Sequence, residues 1–463
     1  MHERREKHPP AGSQRATVCN EINYTGQAPC CFVAYSMWFL YQIATTLALL
    51  IVGPFLLIRR GRHYLGSLPG RLGRYSGEAP AAPLWIHAVS VGEVGVAHTL
   101  IRGLPTDLPL LITTVTPTGQ ALAKRLFRDR AAVTYLPFDL GPIVEKFLNR
   151  YSPRALVLVE GDLWPLLLSR VKARGLPIAV VNGRVSDHSF RRMTRLKSLL
   201  GPIFGPVDRF GMQSEADRQR LLDLGVPVNR VVVSGNLKFE TPTQKPNPEL
   251  ADALRRLAGS RSILVVGSTM SGEEEAILAA FRQIGGGDRV LLVLAPRHPE
   301  RWNEVAELVK SAGVSLTRRT ELDASSHPTD ILLLDSLGEL AAIYGIGLGC
   351  FIGGTLVPTG GHNPLEPALH GVAISVGPSM ENFREIASAF EKGNAWQRVD
   401  GSDDLARVWN TWISEPEEAA ALGRRGLGVI AANQGSLETT VALLEPLIEV
   451  GASSVSIPSD TSS

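Results

Sequence analysis

Most of the residues able to do chemistry in this chain stand in short polar segments that follow apolar runs. Ser90-Val91-Gly92-Glu93 comes directly after the run at 84–89 and ahead of a helical pattern. A carboxylate there lies at a strand's carboxyl end and beside a helix N-terminus, where it can take a proton from a hydroxyl nucleophile. The same spacing also fits a first-turn glutamate that stabilises the helix dipole. Glu160-Gly161-Asp162-Leu163-Trp164-Pro165 repeats the arrangement with two carboxylates. Asp162 and Pro165 read there as a helix cap and a first-turn proline, which leaves Glu160 free for a polar ligand. Lys238, in Gly235-Asn236-Leu237-Lys238-Phe239, is either a cation for a phosphate or carboxylate, or a plain solvated lysine.

The second half of the chain carries a further set. Arg297, in Pro296-Arg297-His298-Pro299-Glu300-Arg301 after the run at 289–295, suits a phosphate or an acidic sugar. Leu337-Gly338-Glu339 follows the run at 331–335. The richest segment is Gly353-Gly354-Thr355 leading into Gly360-Gly361-His362-Asn363-Pro364-Leu365-Glu366-Pro367. Its glycines let backbone N–H groups approach an anion, Asn363 can cap a helix with Pro364 in the first turn, and Glu366 can reach a ribose diol. One glycine-rich loop alone is a weak signal, because glycine also serves ordinary turns. Four polar tips along one sheet edge are a stronger one.

The elements that must position these residues are strands and helices in alternation. Apolar, β-branched runs recur from residue 84 as LWIHAVSV, PLLITTVT, VTYLP, ALVLVE, PIAVVN, RFGMQ and RVVVSG, with amphipathic stretches between them. This is the grammar of a parallel sheet. TPTQKPNPEL (Thr241–Leu250) interrupts it and reads as a linker. The grammar restarts as ILVVGS, RVLLVLAP, ILLLDS, CFIGG and AISVGP. Two α/β domains follow, with ligands expected at the carboxyl ends of the strands.

Composition agrees. The chain has 463 residues, 44% hydrophobic and 20% charged, enough for two or three domains with sizeable cores. A formal charge of +2 excludes a generally basic nucleic-acid binder. The four cysteines form no metal-like pair, and Cys350 sits in an apolar run, so neither a metal site nor a disulfide framework is implied.

Ahead of the α/β grammar, Met37 opens an uncharged stretch, MWFLYQIATTLALLIVGPFLLI, that ends at Ile58. As a helix it would be roughly 33 Å long, about a bilayer core, and Arg59, Arg60, Arg62 and His63 would mark its cytoplasmic side. A buried core helix is the alternative. Met37 is read as a possible true start, with residues 1–36 a polar extension. A basic amphipathic stretch from Ser186, with Arg191, Arg192, Arg195 and Lys197 among Phe190, Met193, Leu196 and Leu200, suits an anionic membrane or lipid head group, or else a solvated helix face.

Together these motifs resemble the 3-deoxy-D-manno-octulosonic acid (Kdo) transferases of lipid A biosynthesis. The resemblance is carried by HAVSVGE, TTVTPTG, YLPFDL, EGDLWP, GNLKF, GST with GEEE, APRHPER, LGEL, FIGGTLV, GGHNPLEP and the GP…NFREI run, in order from about Met37 to residue 440. It implies a GT-B fold with two Rossmann-like domains facing across a cleft, no cofactor and no metal, a CMP-Kdo donor, and a lipid A precursor of the lipid IVA type as acceptor. It also implies the cytoplasmic face of a Gram-negative inner membrane as the location, and inversion at the anomeric carbon. By motif, Glu93 is the general base, Glu160 and Lys238 stabilise the transition state, and Pro296, Arg297, Leu337, Gly338, Glu339, Asn363, Pro364, Leu365 and Glu366 bind CMP. Met270 stands where the family usually has His, Gly161-Asp162 where it has Thr-Glu, and Leu337 where it has Met. Another GT-B nucleotide-sugar transferase or epimerase, or a membrane-tethered nucleotide-binding module, is the rival reading. The expected division is an extension at 1–36, an anchor at 37–60, an acceptor-binding domain at 61–240, a linker at 241–260, a CMP-sugar-binding domain at 261–450 and a disordered tail at 451–463.

Overall fold

The computed structural model describes residues 65–75, 77–197, 200–242, 247–323 and 328–454, with isolated positions between 41 and 51. The extension at 1–36, most of the anchor at 37–60 and the end of the tail lie outside the described residues. Among the described residues no helix is long and apolar enough to cross a membrane. The unit Arg62–Ser463 carries the α/β structure.

Its first sheet holds β1 (Leu84–His87), β2 (Leu110–Thr114), β3 (Ala132–Tyr135), β4 (Ala155–Val159), β5 (Ile178–Gly183), β6 (Arg209–Met212) and β7 (Val231–Val233). These are parallel, in the order β3-β2-β1-β4-β5-β6-β7. The second holds β8 (Ser262–Thr269), β9 (Val290–Pro296), β10 (Leu316–Arg318), β11 (Ile331–Leu333), β12 (Gly349–Ile352), β13 (Ala373–Val376) and β14 (Gln397–Arg398). It too is parallel, in the order β10-β11-β9-β8-β12-β13-β14. Helices cover both faces of each sheet, and each sheet has a separate apolar cluster on either side. Burial on both faces is why the central strands read as unbroken apolar runs. The strand order reverses between β1 and β4 in one sheet and between β8 and β12 in the other, and such reversals open the crevice where ligands bind.

Two expectations about the domain ends change. The stretch read as a linker at 241–260 contains the helix Pro248–Ala258, whose Leu250, Leu254 and Leu257 are buried in the second domain's core. The helix Ser436–Ser454 does not stay with the second domain, whose limit was expected at 450. It returns to the first, where Leu444 is buried against the β1 and β4 core. The chain therefore crosses between domains twice. At the first crossing Leu237 belongs to one core and Phe239 to the other, so Lys238 is fixed between them. Glu240 then caps the returning helix, its Oε1 accepting from Ser436 N at 2.9 Å and Ser436 Oγ at 3.1 Å.

Candidate active site

Glu93 and Glu160 follow β1 and β4, the two strands that flank the first reversal point. Glu93 is in the first turn of the helix Val91–Arg102. Its Oε2 accepts from Val89 N at 2.8 Å and its Oε1 from Ser90 Oγ at 3.3 Å, so it does serve the helix start as the alternative reading required. Its electrostatics go further. Burial, with the negative charges of Glu160 and Asp162, outweighs these two hydrogen bonds and pushes the carboxyl from the ordinary 4.5 up to about 7. A carboxylate so placed is a usable base near neutral pH.

The loop that carries Glu93 is clamped by its neighbour. Val115 N and Thr116 N both donate to Val89 O, and Thr116 Oγ1 caps the next helix by accepting from Gly119 N at 3.1 Å. A Cβ on Gly119 would stand 3.2 Å from the Ser90 carbonyl carbon and 2.8 Å from Thr116 Oγ1, so only glycine lets this helix seat beside Glu93. These contacts give the TTVTPTG segment its physical role.

Glu160 has a φ of 60°, a left-handed conformation unusual for a residue with a side chain. That turn aims its carboxylate at Lys238, whose Nζ lies 2.8 Å from Oε1. Asn182 Nδ2 is 3.5 Å from Oε1, and Arg184 Nε is 4.0 Å from Oε2. Asp162 does not cap the helix Pro165–Ala173. It accepts from Trp164 Nε1 at 2.9 Å and stands 3.9 Å from Nε2 of the buried His87. Asp139 of the YLPFDL segment takes the helix's first amides instead, from Leu166 at 3.2 Å and Leu167 at 2.7 Å.

In the second domain Arg297 leaves the end of β9, with its N–H on Thr269 O at 3.0 Å and its side chain exposed. Burial pushes the carboxyl of the half-buried Glu366 up, against the opposing effects of the Asn363 hydrogen bond and of Arg297's charge. Asn363 ties this corner together, Nδ2 donating to Glu366 Oε1 at 3.2 Å and Oδ1 accepting from Leu365 N at 3.1 Å. Pro364 precedes the helix Leu365–Ala368 rather than opening its first turn. Burial, with Arg297 and His298, lowers His362 to about 4, so it is a neutral ring at physiological pH. Glu339 accepts from Arg319 at 3.1 Å and 2.9 Å, while Leu337 is 74% exposed beside Gly338. Pro296 is the last residue of β9.

The glycine-rich segment corrects the reading that its amides receive a ligand anion. The buried Glu273 is that anion, accepting from Met270 N at 2.9 Å, Gly354 N at 2.6 Å, Thr355 N at 2.9 Å and Leu356 N at 2.9 Å. Gly353 N is bonded to Gly267 O, Gly360 N to Ser379 Oγ and Gly361 N to Gly354 O. The amides of His362 and Asn363 remain without a partner among the described residues. A donor phosphate on this segment would depend on them and on side chains such as Arg297. Glu274 is likewise internal, held by Arg301 at 2.7 Å and 3.1 Å. The sequence marks Glu273 only as part of a helix-opening glutamate run and gives no sign of Arg184. A glutamate run at a helix start looks like dipole compensation, and Arg184 has no motif of its own. Among the described residues no group of three or more His, Cys, Asp or Glu is arranged to hold a metal ion.

Residues 66–241 match the family model described as 3-deoxy-D-manno-octulosonic-acid transferase (kdotransferase). A 3-deoxy-D-manno-octulosonic acid transferase of Haemophilus influenzae is 34% identical, over 89% of this chain and 97% of its own length. One from Bordetella pertussis is 33% identical, over 86% and 98%. The fold is shared more widely. A UDP-GlcNAc 2-epimerase from Neisseria meningitidis, solved with UDP-GlcNAc, superposes with a TM-score of 0.51 at 11% identity, over 78% of this chain and all of that one.

Proposed function

Since this chain belongs to the 3-deoxy-D-manno-octulosonic acid transferase family and has a GT-B fold, we propose that it transfers Kdo from CMP-Kdo to a lipid A precursor with inversion, using Glu93 as general base. The observation that carries the chemistry is the placement of Glu93 beside the Glu160–Lys238 pair, with its carboxyl pushed up to about 7. Glu93 removes the proton from an acceptor hydroxyl as that oxygen bonds to the anomeric carbon. The bond from that carbon to the CMP phosphate breaks on the opposite face, and CMP leaves with the electron pair. Lys238, held by Glu160, offsets negative charge at the reacting centre, and Arg297 does so at the departing phosphate. No step calls on a cofactor. Incubation with CMP-Kdo and a tetra-acylated lipid A precursor, followed by mass spectrometry of the lipid, tests the proposal. One or more added Kdo masses are expected, and an unmodified lipid would overturn it. Stabilisation by UDP rather than CMP would favour the epimerase-like alternative.

Arg297→Ala should weaken CMP binding, because a guanidinium paired with a phosphate in a partly dry cleft contributes roughly 1.5–3 kcal/mol. Calorimetric titration with CMP reads this directly, and an unchanged Kd would move Arg297 off the ligand.

We also propose the cytoplasmic face of the inner membrane as the working surface. Support comes from the apolar run at 37–58 with its basic flank, and from Leu65 and Leu72, each 50% exposed just beyond it. Removing residues 1–60 should leave a folded protein that floats with anionic liposomes far less than the full chain. Equal flotation of the two would sink this placement.

A further inference from the structure

In the donor proposed above, on which this inference rests, the carboxylate is attached to the anomeric carbon itself. Whatever cation holds it must therefore stand beside the reacting bond. Lys238 is a single ammonium shared with Glu160 at 2.8 Å, so it can offset charge at the reacting centre but cannot grip a carboxylate at two points. Arg297 belongs electrostatically with Glu366 and His362 in the second domain. Among the described residues, the other cation placed against the Glu160 carboxylate is Arg184, which follows β5. Its Nε lies 4.0 Å from Glu160 Oε2, and its Nη1 donates to both oxygens of Glu385, at 3.1 Å and 3.2 Å.

Glu385 lies in the first turn of the helix Arg384–Lys392, so this ion pair joins the two domains. The pair is loosely held, with side chains 35% and 37% exposed. Such pairs contribute little and exchange readily. Beside it opens a cavity of about 1150 Å³, lined by Arg184, Gln213, Asn236, Arg384 and Glu385 among others. A planar guanidinium suits a carboxylate in two-point contact better than an ammonium does.

We propose that Arg184 binds the carboxylate of the sugar acid, and that Glu385 stands in the place the donor's carboxylate takes. Donor binding exchanges one carboxylate for another on the same guanidinium. The exchange couples recognition of an acidic sugar to the contact between the two domains.

The test compares CMP-Kdo, by initial-rate KM, with CMP, by calorimetric Kd, in three variants of the full chain. Arg184→Ala should raise the KM for CMP-Kdo about tenfold to a hundredfold and leave the Kd for CMP unchanged. Arg184→Lys, which keeps the charge without the fork, should fall between Ala and wild type. Glu385→Gln, which removes the competing carboxylate, should lower the KM for CMP-Kdo by up to about fivefold. A pair that only latches the domains gives the opposite sign: Glu385→Gln then weakens the donor as Arg184→Ala does, and CMP weakens in parallel. That pattern overturns the proposal, as does an Arg184→Ala enzyme with unchanged KM. Should Arg184→Ala fail to fold, Arg184→Lys and Glu385→Gln still decide by the sign of their effects. A wild-type protein that turns over no CMP-Kdo brings down the donor reading and this inference together. A wild type that turns it over, with variants whose KM for CMP-Kdo is unchanged, brings down this inference alone.

Discussion

Replacing Glu93 by Gln should lower Kdo transfer by about 10²–10⁴-fold while leaving CMP affinity nearly constant, the range general-base catalysis usually contributes. Gln keeps the shape and can still accept from Val89 N, but it cannot take a proton at neutral pH. The residues proposed to bind CMP are carried by the other sheet, so their affinity has no reason to move. Had Glu93 only served the helix start, Gln would cost about 0.3–1 kcal/mol of stability and leave turnover nearly intact. The pKa makes the stability test sharper, because it predicts the other sign. The folded carboxyl titrates near 7 and the unfolded one near 4.5, so the fold favours the neutral form. Stability due to this group is full below the lower value and lost as pH rises through the upper one. Gln carries no such loss, and the variant should be at least as stable as wild type at pH 8. Melting temperature, transfer rate and CMP titration on one variant check all three, and a near wild-type transfer rate would overturn the base assignment.

The same displacement should appear in the rate. With Glu93 as the proposed base, transfer needs the carboxylate form, so kcat/KM should climb with pH to a plateau above about 7. Asp162→Asn removes one of the two charges that raise Glu93. It should move that limb towards acid by a fraction of the displacement, because burial is the larger cause.

How much of this was legible depended on where each signal is written. All seven strands of the first sheet stood out: the central ones because parallel strands buried on both faces are continuous apolar words, and the partly exposed edges Ala132–Tyr135 and Val231–Val233 because they are rich in β-branched residues. The second sheet's edges, Leu316–Arg318 and Gln397–Arg398, have three and two residues with no apolar run and did not. The helix Pro248–Ala258 was hidden by its polar, proline-rich lead-in, although Leu250, Leu254 and Leu257 already had helical spacing. Glu93 and Glu160 stand out as candidates because the carboxyl end of a strand is where parallel sheets put chemistry. What the sequence did not contain was partnership. Arg184 and Glu385 meet 201 residues apart, and the left-handed turn at Glu160 exists only in the fold. Nor could reading tell whether the amides of a glycine-rich loop faced a ligand or the protein's own carboxylate.

That last distinction makes Glu273→Gln an expected large loss of stability rather than a conservative change. Each oxygen of Glu273 accepts two backbone N–H groups: Oε1 those of Thr355 and Leu356, and Oε2 those of Met270 and Gly354. A Gln can offer its carbonyl to one pair only. Its amide then points donors at the other pair, leaving two buried N–H groups unsatisfied at about 1–3 kcal/mol each. The side chain is fully buried, so water cannot step in. The loop cannot move away to relieve this, because a Cβ-sized gap at Gly353 is already filled by Ser268 O, 2.3 Å from where a Cβ would be. A loss of about 2–6 kcal/mol is the expected result, read as a lower denaturant midpoint with an unchanged slope. The segment 353–356 leads into the one that carries Asn363 and Glu366, so CMP affinity should fall as well. Glu93 is on the other sheet and should keep its acid limb in whatever activity remains. Unchanged stability in Glu273→Gln would mean that the four amides find other acceptors, and that the carboxylate does not hold the loop.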